Sequence, residues 1–94
     1  MTTAIDLIRV LHVDDNSDLS DVAGTFLERE DDRITVHTAT SASEGLGLLT
    51  DHKFDCIVSD YDMPGKNGLE FLETVREDYP DLPFIIYPGK GPEE

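Results

Sequence analysis

Three acidic side chains lie directly after two predicted strands, in positions where carboxylates can take part in phosphate chemistry. Asp14 and Asp15 follow the apolar run Arg9–Val13, and Asp60 follows the apolar run Phe54–Ser59. If the two strands are neighbours in a parallel sheet, the three carboxylates converge at one edge and repel one another. A hard cation such as Mg²⁺ removes that repulsion and leaves positions for phosphate oxygens. Asp60 is then placed to act as a nucleophile that forms an aspartyl phosphate.

The chain is rich in acids throughout, so the same residues also fit a solvated surface. Twenty-one Asp and Glu against seven Lys and Arg give a net charge of −14. Such a charge repels nucleic acid phosphates and argues against direct binding of nucleic acid. It also favours a halophilic source, because at molar salt charges are screened beyond about 3 Å. The alternative is an ordinary acidic protein.

Four short apolar segments predict strands, since they are rich in β-branched or aromatic residues and bounded by polar residues or turn formers. They are Arg9–Val13, Ile34–Ala39, Phe54–Ser59 and Pro83–Tyr87.

Amphipathic segments between the strands predict three helices. The first is capped by Asn16 or Ser17. Its apolar face consists of Leu19, Val22, Ala23, Phe26 and Leu27. Ser41 and Glu44 have the spacing of a capping box at the start of the second helix. The third helix follows the turn-forming segment "MPGKNG" and ends near Pro80. Its inward residues are predicted to be Leu69, Leu72, Val75 and Tyr79.

The alternation of strands and helices predicts the α/β class, with a doubly wound parallel sheet and helices on both faces. The length of 94 residues fits a single domain over residues 1–94. No apolar run is long enough to span a membrane, and the start of the chain lacks the pattern of a signal peptide. A single cysteine, Cys56, permits no internal disulfide and suits a cytoplasmic location.

Two segments carry a resemblance to a known family. "VLHVDDN" followed by "CIVSDYDMPGKNGLEFL" resembles the two leading signatures of the response regulator receiver (CheY-like) domains of two-component signalling. The resemblance covers about residues 9–91, and "SDYDMPGKNGLEFLETVRE" is similar to receivers of halophilic archaea. It implies a flavodoxin-like sheet in the order 2-1-3-4.

The resemblance also implies the roles of the acidic residues. Asp60 would be the phosphoacceptor, and the phosphoryl donor would be a sensor histidine kinase or a phosphotransfer protein. Asp15 and Asp60 would ligate Mg²⁺ directly, Asp14 through water, and Asp62 through its backbone carbonyl. A receiver assists its own phosphorylation but is not a turnover enzyme.

The sequence departs from the family pattern near its carboxyl end. Pro88 stands where receivers place a Thr or Ser that bonds the phosphate, and proline has neither a hydroxyl nor an N–H. The family's fifth strand, its later lysine and the last two helices are missing, which predicts a truncated receiver. Lys90 is expected to be a solvated loop lysine. The uncovered edge of the fourth strand predicts a homodimer through that edge.

Two other functions stay open at the level of sequence. A receiver-like interaction module that takes no phosphate would fit Pro88 and the missing lysine. A phosphatase of the haloacid dehalogenase type would fit the strand-Asp-x-Asp pattern of "CIVSDYDMP". That family has Thr or Val where Pro64 stands, and its signature usually opens the fold. An assay for turnover of a phosphate ester separates this enzyme from the two receiver functions.

Overall fold

Parallel strands alternate with helices along the whole described chain. The structure is a computed structural model, and it describes residues 7–88. The elements are β1 (Ile8–Val13), α1 (Ser17–Glu30), β2 (Ile34–Ala39), α2 (Ala42–Asp51), β3 (Cys56–Asp60), α3 (Gly68–Asp78) and β4 (Phe84–Tyr87). The predicted alternation is confirmed. The prediction of one domain over residues 1–94 extends past the described range, and so does the prediction for Lys90.

The four strands form one parallel sheet in the order β2-β1-β3-β4, as predicted. In the register of this sheet, Val13 at the end of β1 lies between Ala39 of β2 and Ser59 of β3. The residues that follow β1 and the last residue of β3 therefore leave the sheet at the same edge. This register places Asp14 and Asp60 side by side at that edge.

The helices cover both faces of the sheet. A side chain at Gly45 of α2 would stand only 3.0 Å from Phe71 of α3 and 3.2 Å from Val13, so α2 and α3 share one face with β1. A side chain at Gly24 of α1 would stand 3.4 Å from Val36 of β2. Ala39 of β2 belongs to the core on the face that α2 and α3 cover. Val36 lies three residues earlier in the same strand and points to the opposite face, because successive strand residues alternate between faces. The sheet is therefore doubly wound, as predicted.

The predicted apolar face of α3 is wrong at its first residue. Leu69 is 47% exposed, whereas Phe71 is fully buried and packs edge-on against Phe84. The reason is the start of the helix. Asn67 and Glu70 form a reciprocal capping box, and this begins the helix at Gly68 with Phe71 and Val75 toward the core.

The predicted apolar face of α1 is wrong at two residues. Val22 and Phe26 are 67% and 61% exposed. The helix approaches β2 on the side of Gly24, where an added Cβ would stand 3.4 Å from Val36. A close approach on this side turns Val22 and Phe26 away from the sheet. Local spacing identified the helix correctly but not the side that packs.

The boundaries of three strands also shift. β1 begins at Ile8 and β4 at Phe84, each one residue from its predicted start. β3 begins at Cys56 rather than Phe54 and includes Asp60 as its last residue. Phe54 is buried outside the strand, where its ring contacts those of His37 and His52. Over residues 7–88, no helix is long and apolar enough to cross a membrane.

Candidate metal and phosphoryl site

Three carboxylates meet at the carboxyl ends of the two central strands. Asp14, Asp15 and Asp60 each offer an oxygen atom, and these atoms lie within 4.8 Å of one another. Asp14 and Asp60 are only 1% exposed, and Asp15 is more open to solvent. The predicted clustering of these three residues is confirmed.

The cluster fits a hard divalent cation. All three side chains offer oxygen donors, and Mg²⁺ prefers one or two carboxylates together with waters and phosphate oxygens. Three formal negative charges at this separation also repel one another, and two of them are buried. A bound cation would offset both costs, so these residues are suited to holding one.

Asp14 is oriented by its own backbone and by β2. Its N–H donates to the carbonyl of Ala39 at 3.0 Å, which continues the sheet ladder by one residue. Its Oδ1 accepts the N–H of Asn16 at 2.8 Å, closing a tight turn after β1. The carboxylate therefore points into the space above the strand ends.

Asp60 is held by the loop that leads into α3. Its Oδ1 accepts the N–H of Asp62 at 3.1 Å, and its carbonyl accepts the hydroxyl of Ser59 at 2.9 Å. The N–H of Gly68 then donates to the carbonyl of Tyr61 at 2.8 Å. A side chain at Gly68 would stand 2.6 Å from the Asp60 carbonyl oxygen, so only glycine permits this approach.

The remaining predicted residues lie around this cluster. Asp62 is exposed two residues after Asp60, and the role of its carbonyl stays a prediction. Tyr61 is 44% exposed beside Asp60. Pro88 directly follows β4 and is exposed. Cys56 is half-buried at the start of β3, and burial, with a smaller effect of the Asp55 charge, raises the pKa of its thiol.

Sequence reasoning missed two residues of the site, Tyr87 and His12. The hydroxyl of Tyr87 donates to Oδ2 of Asp14 at 2.5 Å, and Nε2 of His12 lies 2.9 Å from the same hydroxyl. Burial raises the pKa of Tyr87, and its hydrogen bond to Asp14 adds to the rise. Burial lowers the pKa of His12, although the charges of Asp14 and Asp60 oppose this.

A signal for these two residues existed in the strand register. Tyr87 pairs with Asp60, and His12 pairs with Val58 on the same face of the sheet. Polar groups at those positions of neighbouring strands must lie near the acidic edge. The sequence analysis placed His12 within the first predicted strand and Tyr87 at the end of the fourth, and gave neither a role in the site.

Together, the doubly wound sheet in the order 2-1-3-4 and the acidic cluster at its carboxyl edge define a flavodoxin-like α/β protein with a polar site. Comparison with known proteins identifies the family within this class. Residues 10–94 match the response regulator receiver domain, and the chain belongs to that family. The predicted receiver identity is thereby confirmed.

Individual relatives agree with the family assignment. The response regulator SaeR of Staphylococcus aureus is 33% identical over 87 residues, which are 93% of this chain and 37% of SaeR. The chain thus spans little more than a third of that relative. Chemotaxis protein CheY4 of Vibrio cholerae has a TM-score of 0.80 at 30% identity, covering 85% of this chain and 67% of CheY4.

The structure of a third relative has been solved in two different complexes. TrrA from Thermotoga maritima in complex with Mg(2+)-BeF has a TM-score of 0.74 at 28% identity, covering 85% of this chain and 66% of TrrA. In complex with the histidine kinase ThkA, TrrA has a TM-score of 0.78 at 28% identity, covering 85% of this chain and 67% of TrrA.

Proposed function

We propose that this chain is a phosphoacceptor receiver domain and that Asp60 takes a phosphoryl group from a histidine kinase or a phosphotransfer protein. The observation that carries the proposal is the buried carboxylate of Asp60, within 4.8 Å of the carboxylate oxygens of Asp14 and Asp15. The TrrA structures, one with a histidine kinase and one with Mg(2+)-BeF, support the same partner and cofactor for this chain.

The transfer requires few groups from the protein. A carboxylate oxygen of Asp60 forms a bond to phosphorus as the bond from phosphorus to the donor histidine nitrogen breaks, and that nitrogen keeps the electron pair. Asp15, Asp60 and the carbonyl of Asp62 would hold Mg²⁺ directly, and Asp14 would hold it through water. When bound, the ion neutralises charge on the transferring phosphoryl group. The Asp62 N–H bond to Asp60 Oδ1 keeps the nucleophile oriented.

Incubation with a small acyl phosphate tests this function without knowledge of the cognate kinase. Intact-mass spectrometry should show one phosphoryl group per chain when Mg²⁺ is present and none when it is chelated. A protein that turns over a phosphate ester in many cycles would instead act as a phosphatase. Membership of the receiver family favours a single phosphorylation over such turnover.

One observation favours the alternative of an interaction module that takes no phosphate. Pro88 follows β4 at the position where receivers place a hydroxyl, and it can donate no hydrogen bond. If this loss prevents phosphorylation, the mass of the chain stays unchanged with donor and Mg²⁺ both present. A Pro88→Thr variant that then gains one phosphoryl group would identify Pro88 as the cause.

Replacing Asp15 with asparagine should weaken Mg²⁺ binding by at least about tenfold, since even a change outside the ligand shell commonly costs that much. The substitution removes one negative ligand from the cluster and keeps the size of the side chain. Isothermal titration with Mg²⁺ measures the effect. Asp21→Asn is the matched control, because it makes the same charge change at an exposed position on α1. Equal affinities in all three proteins would remove Asp15 from the metal site.

We also expect two copies to associate through the edge of β4 or the apolar surface beside it. β4 lies at one edge of the described sheet, and Ile85 in its middle is 56% exposed. An open strand edge pairs readily with another chain. The net charge of −14 opposes association, so the dimer should strengthen as salt screens the repulsion.

Sedimentation at low and at molar salt measures this association. Ile85→Lys should weaken it, because a lysine on an edge strand opposes pairing. Val22→Lys is the control, since Val22 is also a β-branched apolar residue and is 67% exposed but lies on α1. A monomer under both salt conditions would contradict the prediction.

The halophilic source and the cytoplasmic location stay predictions from the sequence.

A further inference from the structure

We propose that Tyr87 is a positioning residue of the metal site, whose hydroxyl holds the carboxylate of Asp14 in the orientation that the cation requires. This inference rests on the proposed function, because it assumes that the acidic cluster binds Mg²⁺. It adds a residue from β4 to a site that the sequence assigned to the ends of β1 and β3 alone.

Both oxygens of Asp14 have a hydrogen-bond donor. Oδ1 accepts the N–H of Asn16 at 2.8 Å, and Oδ2 accepts the hydroxyl of Tyr87 at 2.5 Å. One donor on each oxygen sets the plane of the carboxylate, which a single bond would leave free to turn. A carboxylate oxygen has a second lone pair, so each can still accept a water molecule of a hydrated cation.

His12 sets the direction in which the Tyr87 hydroxyl points. A phenol has one proton, and Tyr87 gives that proton to Asp14. The 2.9 Å contact from Nε2 of His12 to the phenol oxygen is therefore a bond in which the imidazole N–H donates. His12 is 6% exposed, and its ring lies 5.9 Å from that of Tyr87. Bonds arranged in such a chain polarise and strengthen one another.

Tyr87 also touches the other half of the site. It is the last residue of β4, and its backbone carbonyl accepts the N–H of Tyr61 at 2.9 Å. Tyr61 directly follows Asp60 in the sequence. One residue thus links the Asp14 side chain to the backbone beside Asp60. A displacement of the end of β4 would move Asp14 relative to Asp60.

The chemistry of a phenol suits this position. A lysine here would neutralise part of the acidic cluster and compete with a cation for the same carboxylates. A neutral hydroxyl donates a hydrogen bond to Asp14 without adding a charge, so it leaves the cluster's charge to attract the metal. Groups that orient direct metal ligands commonly change metal affinity by about 10- to 100-fold, and the effect of Tyr87 is expected at the lower end because Asp14 would hold the cation through water.

Tyr87→Phe is the direct test, because it removes one oxygen and keeps the ring. Mg²⁺ titrations followed by calorimetry and by amide NMR shifts should show affinity about tenfold weaker than in the wild type. Tyr79→Phe is the matched control. Its hydroxyl donates to the carbonyl of Leu49 at 3.1 Å, between α2 and the end of α3, and its loss should leave Mg²⁺ affinity unchanged.

Thermal unfolding without Mg²⁺ separates positioning from a merely structural role. If Tyr87→Phe lowers the melting temperature but binds Mg²⁺ as the wild type does, the inference is wrong. Equal loss of affinity in the Tyr79 and Tyr87 variants would also overturn it, since a general loosening would explain both. Should Tyr87→Phe not fold, His12→Phe takes its place. It removes the donor to Tyr87, and unchanged Mg²⁺ affinity in that variant would overturn the inference.

The same titrations distinguish this inference from the function on which it rests. A wild-type protein that binds no Mg²⁺ would overturn both the metal site and the role of Tyr87. A wild type that binds Mg²⁺, with affinity reduced in Asp15→Asn and unchanged in Tyr87→Phe, would overturn the role of Tyr87 alone.

Discussion

Asp60→Asn is expected to abolish uptake of the phosphoryl group. The asparagine amide lacks the charged oxygen that attacks phosphorus, while it keeps a carbonyl oxygen for the Asp62 N–H. Incubation with an acyl phosphate and Mg²⁺ should then leave the mass of the chain unchanged. Asp78→Asn, an exposed position at the end of α3, makes the same charge change and should retain full uptake.

The same substitution should stabilise the protein when Mg²⁺ is absent. Asp60 is 1% exposed beside two other carboxylates, so removing its charge relieves repulsion that the free protein carries. We expect the free energy of unfolding of Asp60→Asn to exceed that of the wild type by on the order of 1 kcal/mol at low salt. At saturating Mg²⁺ the wild type should instead be the more stable of the two proteins. Chemical denaturation with and without Mg²⁺ measures both values.

Phosphoryl uptake by Asp60→Asn at the wild-type level would contradict the first of these predictions and place the acceptor elsewhere.

Gly68→Ala is expected to destabilise the protein by about 2–3 kcal/mol, as overpacking in a well-packed region does. A Cβ at Gly68 would stand 2.6 Å from the carbonyl oxygen of Asp60 and 2.8 Å from Cα of Tyr61. Both are backbone atoms, so the strain cannot be relieved by rotating a side chain. The end of β3 must move, and the affinity for Mg²⁺ should fall together with stability.

Gly47→Ala is the matched control for this prediction. Gly47 is exposed in α2, and a Cβ there would meet no atom within 4 Å. Alanine is the better helix former, so this variant should be neutral or more stable by up to about 1 kcal/mol. Denaturant unfolding compares the two. Equal stability of Gly68→Ala and the wild type would show that the approach of α3 to Asp60 is looser than these distances require.

The sequence by itself predicted the parts of this protein that depend on local patterns. Apolar runs bounded by polar or turn residues located all four strands, and the helical spacing between them located the helices. Because parallel strands end at a common edge, acids directly after β1 and at the end of β3 meet when the two strands are neighbours, as they are here. Asp14, Asp15 and Asp60 do so. Strand order followed from the family resemblance and was confirmed.

The side on which each helix packs was decided by tertiary structure. Leu69 and Phe71 are both apolar and two positions apart, so spacing alone could not say which faces the core. The capping box at Asn67 and the close approach of Gly68 to Asp60 turn Phe71 inward. In α1, contact through Gly24 leaves Phe26 exposed. Burial depends on which neighbour a helix meets, and that neighbour is distant in sequence.

The hydrogen bonds around Asp14 were likewise beyond the reach of local patterns. Tyr87 lies 73 positions after Asp14 and 75 after His12, and it meets them because β4 pairs with β3 in a specific register. A shift of one residue in that register would turn the Tyr87 side chain to the opposite face of the sheet. The sequence therefore determined which acids gather at the sheet edge. Only the register of the folded sheet decided which polar groups hold them in place.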